Sequence, residues 1–173
     1  MIRALPAGVV LLCACAPDLR PDEEAADTGL ASTEYTVDGV VYATLDATSE
    51  EAWVPYPWSD GAAVDLSFQR YRVALADGVQ VARLVGADFD ELDAAPADGW
   101  LTDAADPVAD EDYALHEWYD YDPVQHTLSP ADEVVVVRSP DGVDRKLQFL
   151  AYYDDAGTPA VLSFQWAVLG GAR

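Results

Sequence analysis

The chain has 173 residues, with 32 Asp and Glu against 9 Lys and Arg and a formal net charge of −23 at neutral pH. That balance argues against a nucleic-acid ligand, which needs a basic footprint, and against attraction to anionic lipid headgroups. With 51% apolar residues, the length suits one domain that buries roughly two-thirds of its unfolded surface.

The N-terminus, MIRALPAGVVLLCACAPD, has one cation at Arg3, an apolar run over residues 4–12, and then Leu12, Cys13, Ala14 and Cys15. This is the layout of a secretory signal, too short to span a bilayer. The LCAC spelling resembles a bacterial lipobox, so residues 1–14 are expected to leave as a signal peptide and Cys15 to carry the lipid. Membrane attachment would then rest on acyl chains. No cysteine follows Cys15, which removes disulfides, thiol catalysis and Cys-ligated metals from the folded part. Residues 15–32, rich in Pro, Asp, Glu and Ala, read as an acidic tether. Residues 33–173 then form a single domain, since no internal repeat or second shift of composition follows.

Within that domain, YTVDGVVYATLDA (35–47) reads as one or two strands joined at Asp38 and Gly39, and VDLSFQRYRVAL (64–75) as one long strand. In the latter, Val64, Leu66 and Phe68 keep one phase while Tyr71, Val73 and Leu75 keep the other, which predicts a bulge or bend between them. A turn at Ala76, Asp77 and Gly78 leads into VQVARLVG, and ADFDELDAA is a short helix or a loop. Residues 98–113 form a long acidic loop, a kind of segment that often carries function. The end of the chain is the clearest part. EVVVVRS (133–139), VDRKLQFLAYY (143–153) and AVLSFQWAVL (160–169) are separated by PDG and DDAGTP turns and predict a three-stranded antiparallel meander. Leu162, Phe164, Trp166 and Val168 should share one face, and one ring of Tyr152 and Tyr153 should be core while the other meets solvent. Helical periodicity is nearly absent, so the fold class is all-β, mainly antiparallel, in two sheets or one strongly bent sheet.

The order of these motifs resembles the HmuY family of bacterial surface lipoproteins. The carrying residues are the lipobox with its tether, Trp53, DLSFQRYRV, GADFDEL, WYDYDPVQHTLSP, VVVVRSPDGVDRKLQFLAYYDDAGTP and LSFQWAVL. Together they span residues 35–169. The resemblance implies an outer-membrane lipoprotein involved in iron acquisition, with no enzymatic reaction. In its best-known members it also implies haem held by two axial histidines and passed to an outer-membrane receptor. The chain departs from that pattern: a glycine-rich insertion after the second long strand is replaced by ADGVQ, and the only Met is the initiator, so methionine ligation is excluded. His126 matches a histidine common in the family spelling, whereas His116 matches no family ligand.

His126 and His116 are thus the candidate haem ligands, and the only histidines present. Bis-histidine ligation needs two imidazoles facing each other across one iron. Pro123 would have to bend the intervening chain into two arms. Trp118, Tyr119 and Tyr121 are candidate ligand-contact rings, the tyrosines also serving as potential phenolate donors. The haem propionates would call on Arg70, Arg72, Arg83, Arg138, Arg145 or Lys146. The alternative is a haem-independent adhesion module in which WVPYPW (Trp53, Tyr56, Trp58) and WYDYD present rings and carboxylates to a glycan or a protein. Acidic runs at Asp88, Asp90, Glu91 and Asp93, and at Asp110, Glu111 and Asp112, lack the spacing of a calcium loop. No nucleophile elbow, phosphate loop, HExxH or dinucleotide fingerprint occurs.

Overall fold

The structure, a computed structural model, describes residues 32–58 and 64–170. The signal peptide, Cys15 and nearly all of the tether lie outside these residues. In chain order the strands are β1 (Ser32–Val37), β2 (Val40–Asp46), β3 (Val54–Pro57), β4 (Val64–Gln69), β5 (Arg72–Leu75) and β6 (Gln80–Val85). They continue as β7 (Tyr119–Asp122), β8 (Thr127–Pro130), β9 (Glu133–Arg138), β10 (Asp144–Tyr153) and β11 (Pro159–Val168). Among the described residues the helical content is a single 3-10 turn at Asp110–Asp112.

Six strands in the order β1-β2-β11-β10-β9-β6 make the main antiparallel sheet, β3-β4-β5 make a second, and β7-β8 form a separate hairpin. The fold is all-β, and the meander of β9, β10 and β11 is present with every neighbour antiparallel. Asp38 and Gly39 both take positive φ, 50° and 81°, so β1 and β2 meet in the kind of two-residue turn that strand twist favours.

The two larger sheets pack face to face through aromatic side chains. Tyr56 and Phe68 of the small sheet meet Phe164 of β11 at ring-centroid distances of 5.0 and 5.6 Å, and Phe68 meets Phe149 of β10 at 6.5 Å. Tyr56 also accepts the Trp166 indole N–H at 2.8 Å. These rings belong to one continuous buried cluster.

The valine run of β9 is buried on both faces. Val135 and Val137 belong to the inter-sheet core, while Val134 packs with Phe89 and Ala167 on the outer face. The segment ADFDELDAA is a succession of turns, and it is what covers that outer face. Lys146 donates to the carbonyls of Phe89 and Leu92, and Asp88 accepts the amides of Asp90 and Glu91. A continuous apolar strand thus reports a sheet covered on both sides.

Two expectations need correction. The long strand over residues 64–75 is a hairpin: Gln69 pairs with Arg72, leaving Arg70 and Tyr71 as a two-residue turn. The phase change from Phe68 to Tyr71 therefore marks a reversal of the chain and not a bulge. A bulge does occur in β10, between Phe149 and Ala151, and it turns Tyr152 inward (4% exposed) in place of Ala151. The other correction concerns WVPYPW as a binding face: Tyr56 and Trp58 are buried at 1% and 5% exposure, and Trp53 is half-buried against Tyr113.

Candidate functional site

Three hairpin ends converge on one side of the molecule and enclose an open cavity of about 660 Å³. The β4–β5 turn contributes Arg70 and Tyr71. The β7–β8 hairpin contributes Tyr119, Tyr121, His126 and Leu128. The end of β10 and its turn into β11 contribute Tyr152, Tyr153, Gly157 and Pro159. The volume falls in the range of about 300–1,000 Å³ usual for small-molecule sites.

Each wall has an identifiable cause. Trp118, immediately before β7, is fully buried. Its ring lies 4.3 Å from Phe149, and its indole N–H donates to the Tyr71 carbonyl at 2.7 Å. It therefore fastens the β4–β5 turn to the β7–β8 hairpin from within. Tyr119 and Tyr121, two residues apart on β7, follow the period of a strand and both reach the cavity. At the hairpin tip Asp122 accepts the amides of Val124 and Gln125 at 2.7 and 3.1 Å. The chain then re-enters β8 through His126 in the left-handed region, φ 57°. On the far wall the Tyr153 hydroxyl accepts the Leu128 amide at 3.1 Å, joining β8 to β10.

The polar groups of the cavity are phenols, one imidazole and one guanidinium. Tyr121 Oη and His126 Nδ1 lie 2.6 Å apart. Tyr71 donates to Asp110 at 3.2 Å. Burial pushes the Tyr119 and Tyr152 hydroxyls above the usual phenol range, with Tyr71 and Asp110 adding to the effect on Tyr119 and Arg70 opposing it on Tyr152. Arg70 bonds the exposed Glu50 at 3.1 Å and also takes positive φ, 54°.

Among the cations singled out from the sequence, Arg70 alone lines the cavity. Arg72 is held by Asp110, Arg138 by Asp144, and Arg83 by Glu133 and Glu117. Arg145 is buried against Ser139, and Lys146 serves the covering loop.

The structure does not bring the two histidines together. His126 is at the tip of the β7–β8 hairpin, whereas His116 lies in the turn before its base. There its Nδ1–H donates to the Tyr113 carbonyl at 2.9 Å, its Nε2 lies 3.7 Å from Glu117, and it is not part of the cavity lining. Trp118, named with Tyr119 and Tyr121 as a ligand-contact ring, is corrected to a core residue. Sequence reasoning missed Tyr71, Tyr152, Tyr153 and Pro159 as lining residues. The adjacent Tyr152-Tyr153 pair carried a signal for one exposed ring, though none for where it would stand. Of the acidic runs, Asp110 serves Arg72 and Tyr71, and Asp112 accepts the amides of Val108 and Ala109. Among the described residues no three His, Cys, Asp or Glu side chains gather as a metal site would require.

The architecture is that of an all-β protein built from antiparallel sheets. More particularly, it is an HmuY-like fold. The chain aligns with a candidate lipoprotein from Bacteroides fragilis at TM-score 0.61 and 17% identity, covering 80% of this chain and 96% of the other. A candidate HmuY-like haem-binding protein from Bacteroides vulgatus aligns at TM-score 0.57 and 17% identity, covering 82% and 93%. The apo HmuY analogue of Tannerella forsythia gives 0.58 and 14%, covering 80% and 96%. No protein-family model matches the sequence, and no curated protein matches it.

Proposed function

We propose that the protein is a lipid-anchored, non-catalytic binding protein of the bacterial outer membrane, and that its cavity takes haem or a related porphyrin. The observation that carries this reading is the cavity itself: about 660 Å³, walled by five tyrosines, with His126 and Arg70 as its imidazole and its cation. Flat aromatic walls suit a flat ligand, and a guanidinium suits a carboxylate by paired hydrogen bonds. The residues fit such a ligand on one side: the Tyr121–His126 pair would supply the metal donor, Arg70 would meet a propionate, and Tyr119 and Tyr153 would pack on the ring. The two solved proteins of this fold described as haem-binding or HmuY-like add weight.

The backbone supports the reading independently. Four described residues other than glycine take positive φ, and two of them, Arg70 and His126, line the cavity. Glycine would sit there at lower cost. Side chains kept in a costly conformation point to a functional demand on them. The haem-independent alternative is less well supported, because Tyr56, Trp58 and Trp118 are inside the core.

The test is a haemin titration of the purified protein, followed by its Soret and visible bands. Wild type should give a saturable sharp spectrum, His126→Ala should weaken it strongly, and His116→Ala should leave it unchanged. No saturable binding by wild type would end the porphyrin reading. Loss in His116→Ala with retention in His126→Ala would place the ligand outside this cavity. Transfer to an outer-membrane receptor is the role such a cargo protein would serve.

A further inference from the structure

Arg70 is the cation of the cavity, and it is already engaged. Its Nη1 donates to Glu50 Oε1 at 3.1 Å, and the same guanidinium contacts the Tyr152 hydroxyl, which belongs to the lining. Glu50 is not part of that lining. It reaches Arg70 from the connection between β2 and β3, which two hydrogen bonds fasten to the β4–β5 hairpin. The Arg70 amide donates to the Ala47 carbonyl at 2.8 Å, and the Gln69 side-chain amide donates to the Glu50 carbonyl at 3.0 Å. Ser49 Oγ accepts the amides of Glu51 and Ala52 at 3.3 and 2.9 Å and fixes the turn that carries Glu50. The backbone thus places Glu50 beside the guanidinium, while its side chain stays 78% exposed and free to leave. An exposed pair of this kind is weak.

We infer that Glu50 competes with the ligand's carboxylate for Arg70, and that this competition sets how fast the cavity releases a carboxylate-bearing ligand. The inference rests on the porphyrin reading above and goes beyond it in giving a residue outside the cavity control over release. In the free protein Glu50 neutralises Arg70. An arriving carboxylate brings a second anion to the same guanidinium, and the two like charges repel. The ligand either displaces Glu50 or shares the cation with it, and in both cases it is held less firmly than on an unpaired guanidinium. When the ligand's carboxylate leaves, Glu50 takes its place without a change of backbone, so the emptied cavity contains no unmatched cation. Affinity differences at one site lie mostly in the dissociation rate, which is where this competition should be read. A Glu50 that only positioned Arg70 would have the opposite sign: removing it would loosen the ligand.

The experiment compares the full chain with Glu50→Gln, Glu51→Gln, Arg70→Gly and the double variant of Glu50→Gln with Arg70→Gly. The probes are protoporphyrin dicarboxylate and its dimethyl ester, titrated by quenching of tryptophan fluorescence, with release followed by stopped-flow transfer to excess apomyoglobin. Glu50→Gln should bind the dicarboxylate about two- to fivefold tighter than wild type, the scale of an exposed ion pair, with most of the gain in slower release. Its affinity for the ester should stay the same. Glu51→Gln, which removes the same charge from the exposed neighbour, should leave both affinities unchanged. Glu50→Gln should have no effect when Arg70 is already glycine. Weaker dicarboxylate binding by Glu50→Gln would make Glu50 a positioning residue for Arg70 and overturn the competition. An equal gain in Glu51→Gln, or a gain that survives Arg70→Gly, would reduce the effect to the net charge of the molecule and overturn it too. No change in Glu50→Gln would remove Glu50 from the site and leave the porphyrin cavity standing. If wild type binds neither porphyrin, the cavity reading falls and takes this inference with it.

Discussion

Trp118 and Arg70 show how single residues build the cavity by opposite means. Trp118 is wholly interior, filling the space between Phe149, Tyr119 and Tyr152 while its N–H satisfies the Tyr71 carbonyl. Trp118→Ala should cost about 3–5 kcal/mol, the range for large aromatic truncations in a core, read as a shift in the midpoint of urea unfolding. A loss below about 1 kcal/mol would mean that the ring is not a core element. Arg70 is half-exposed, and its positive φ, 54°, is unfavourable for any side chain with a Cβ. Arg70→Gly relieves that cost, roughly 1 kcal/mol, and gives up an exposed pair with Glu50, worth about 0–1 kcal/mol, together with the guanidinium's contact with the Tyr152 hydroxyl. The variant should be as stable as wild type or slightly more so. It should bind protoporphyrin dicarboxylate more weakly than wild type, and its dimethyl ester equally well. Equal affinity of both proteins for the dicarboxylate would remove Arg70 from the site.

Among the elements, the three terminal strands were legible in the sequence because alternation, β-branched residues and the PDG and DDAGTP turns agree with one another. The β4–β5 hairpin was hidden because its turn is Arg70-Tyr71, with neither the glycine nor the asparagine that such turns ordinarily display. That turn chemistry was set aside for a side chain the cavity uses. The cavity itself was illegible for a related reason: its walls come from three hairpin ends far apart in sequence, and no local pattern relates Tyr71 to Tyr121 or Tyr153. In WYDYD, the strand period distinguishes Tyr119 and Tyr121 from their neighbours, but burial of Trp118 depends on Phe149 across the core. The β7–β8 hairpin is held at its tip by Asp122, which accepts from the Val124 and Gln125 amides and the Gln125 side chain. Asp122→Ala should therefore loosen the tip, and amide exchange at Val124 and Gln125 should quicken. Porphyrin affinity should fall because His126 loses its fixed place. Unchanged exchange at those two amides would show that the tip is held by other means.

At the scale of the whole molecule, the acidic composition sets the dependence of stability on pH and salt. Three carboxyls, Asp65, Asp103 and Glu133, are pushed above the usual range, in each case chiefly by burial. For Glu133 the Arg83 guanidinium, 2.9 Å away, opposes the rise without cancelling it. A group whose pKa is raised on folding binds its proton more tightly in the native state. Its contribution is present below the ordinary carboxylate range and is lost as pH rises through the folded value. Asp112, Asp122, Asp141 and Asp154 behave oppositely, since backbone amides hold them below the usual range. Their stabilisation is present above the ordinary range and is lost as pH falls through their lowered values. Both sets favour the fold best near the ordinary carboxylate range, about pH 4. Toward neutrality the formal charge of −23 adds self-repulsion, which salt screens over about 10 Å at 0.1 M. The thermal midpoint should therefore fall between mildly acidic solution and pH 7, and added salt should raise it more at pH 7 than in acid. A midpoint that climbs toward pH 7 and ignores salt would mean that native ion pairs, such as Arg138 with Asp144, outweigh burial and repulsion together.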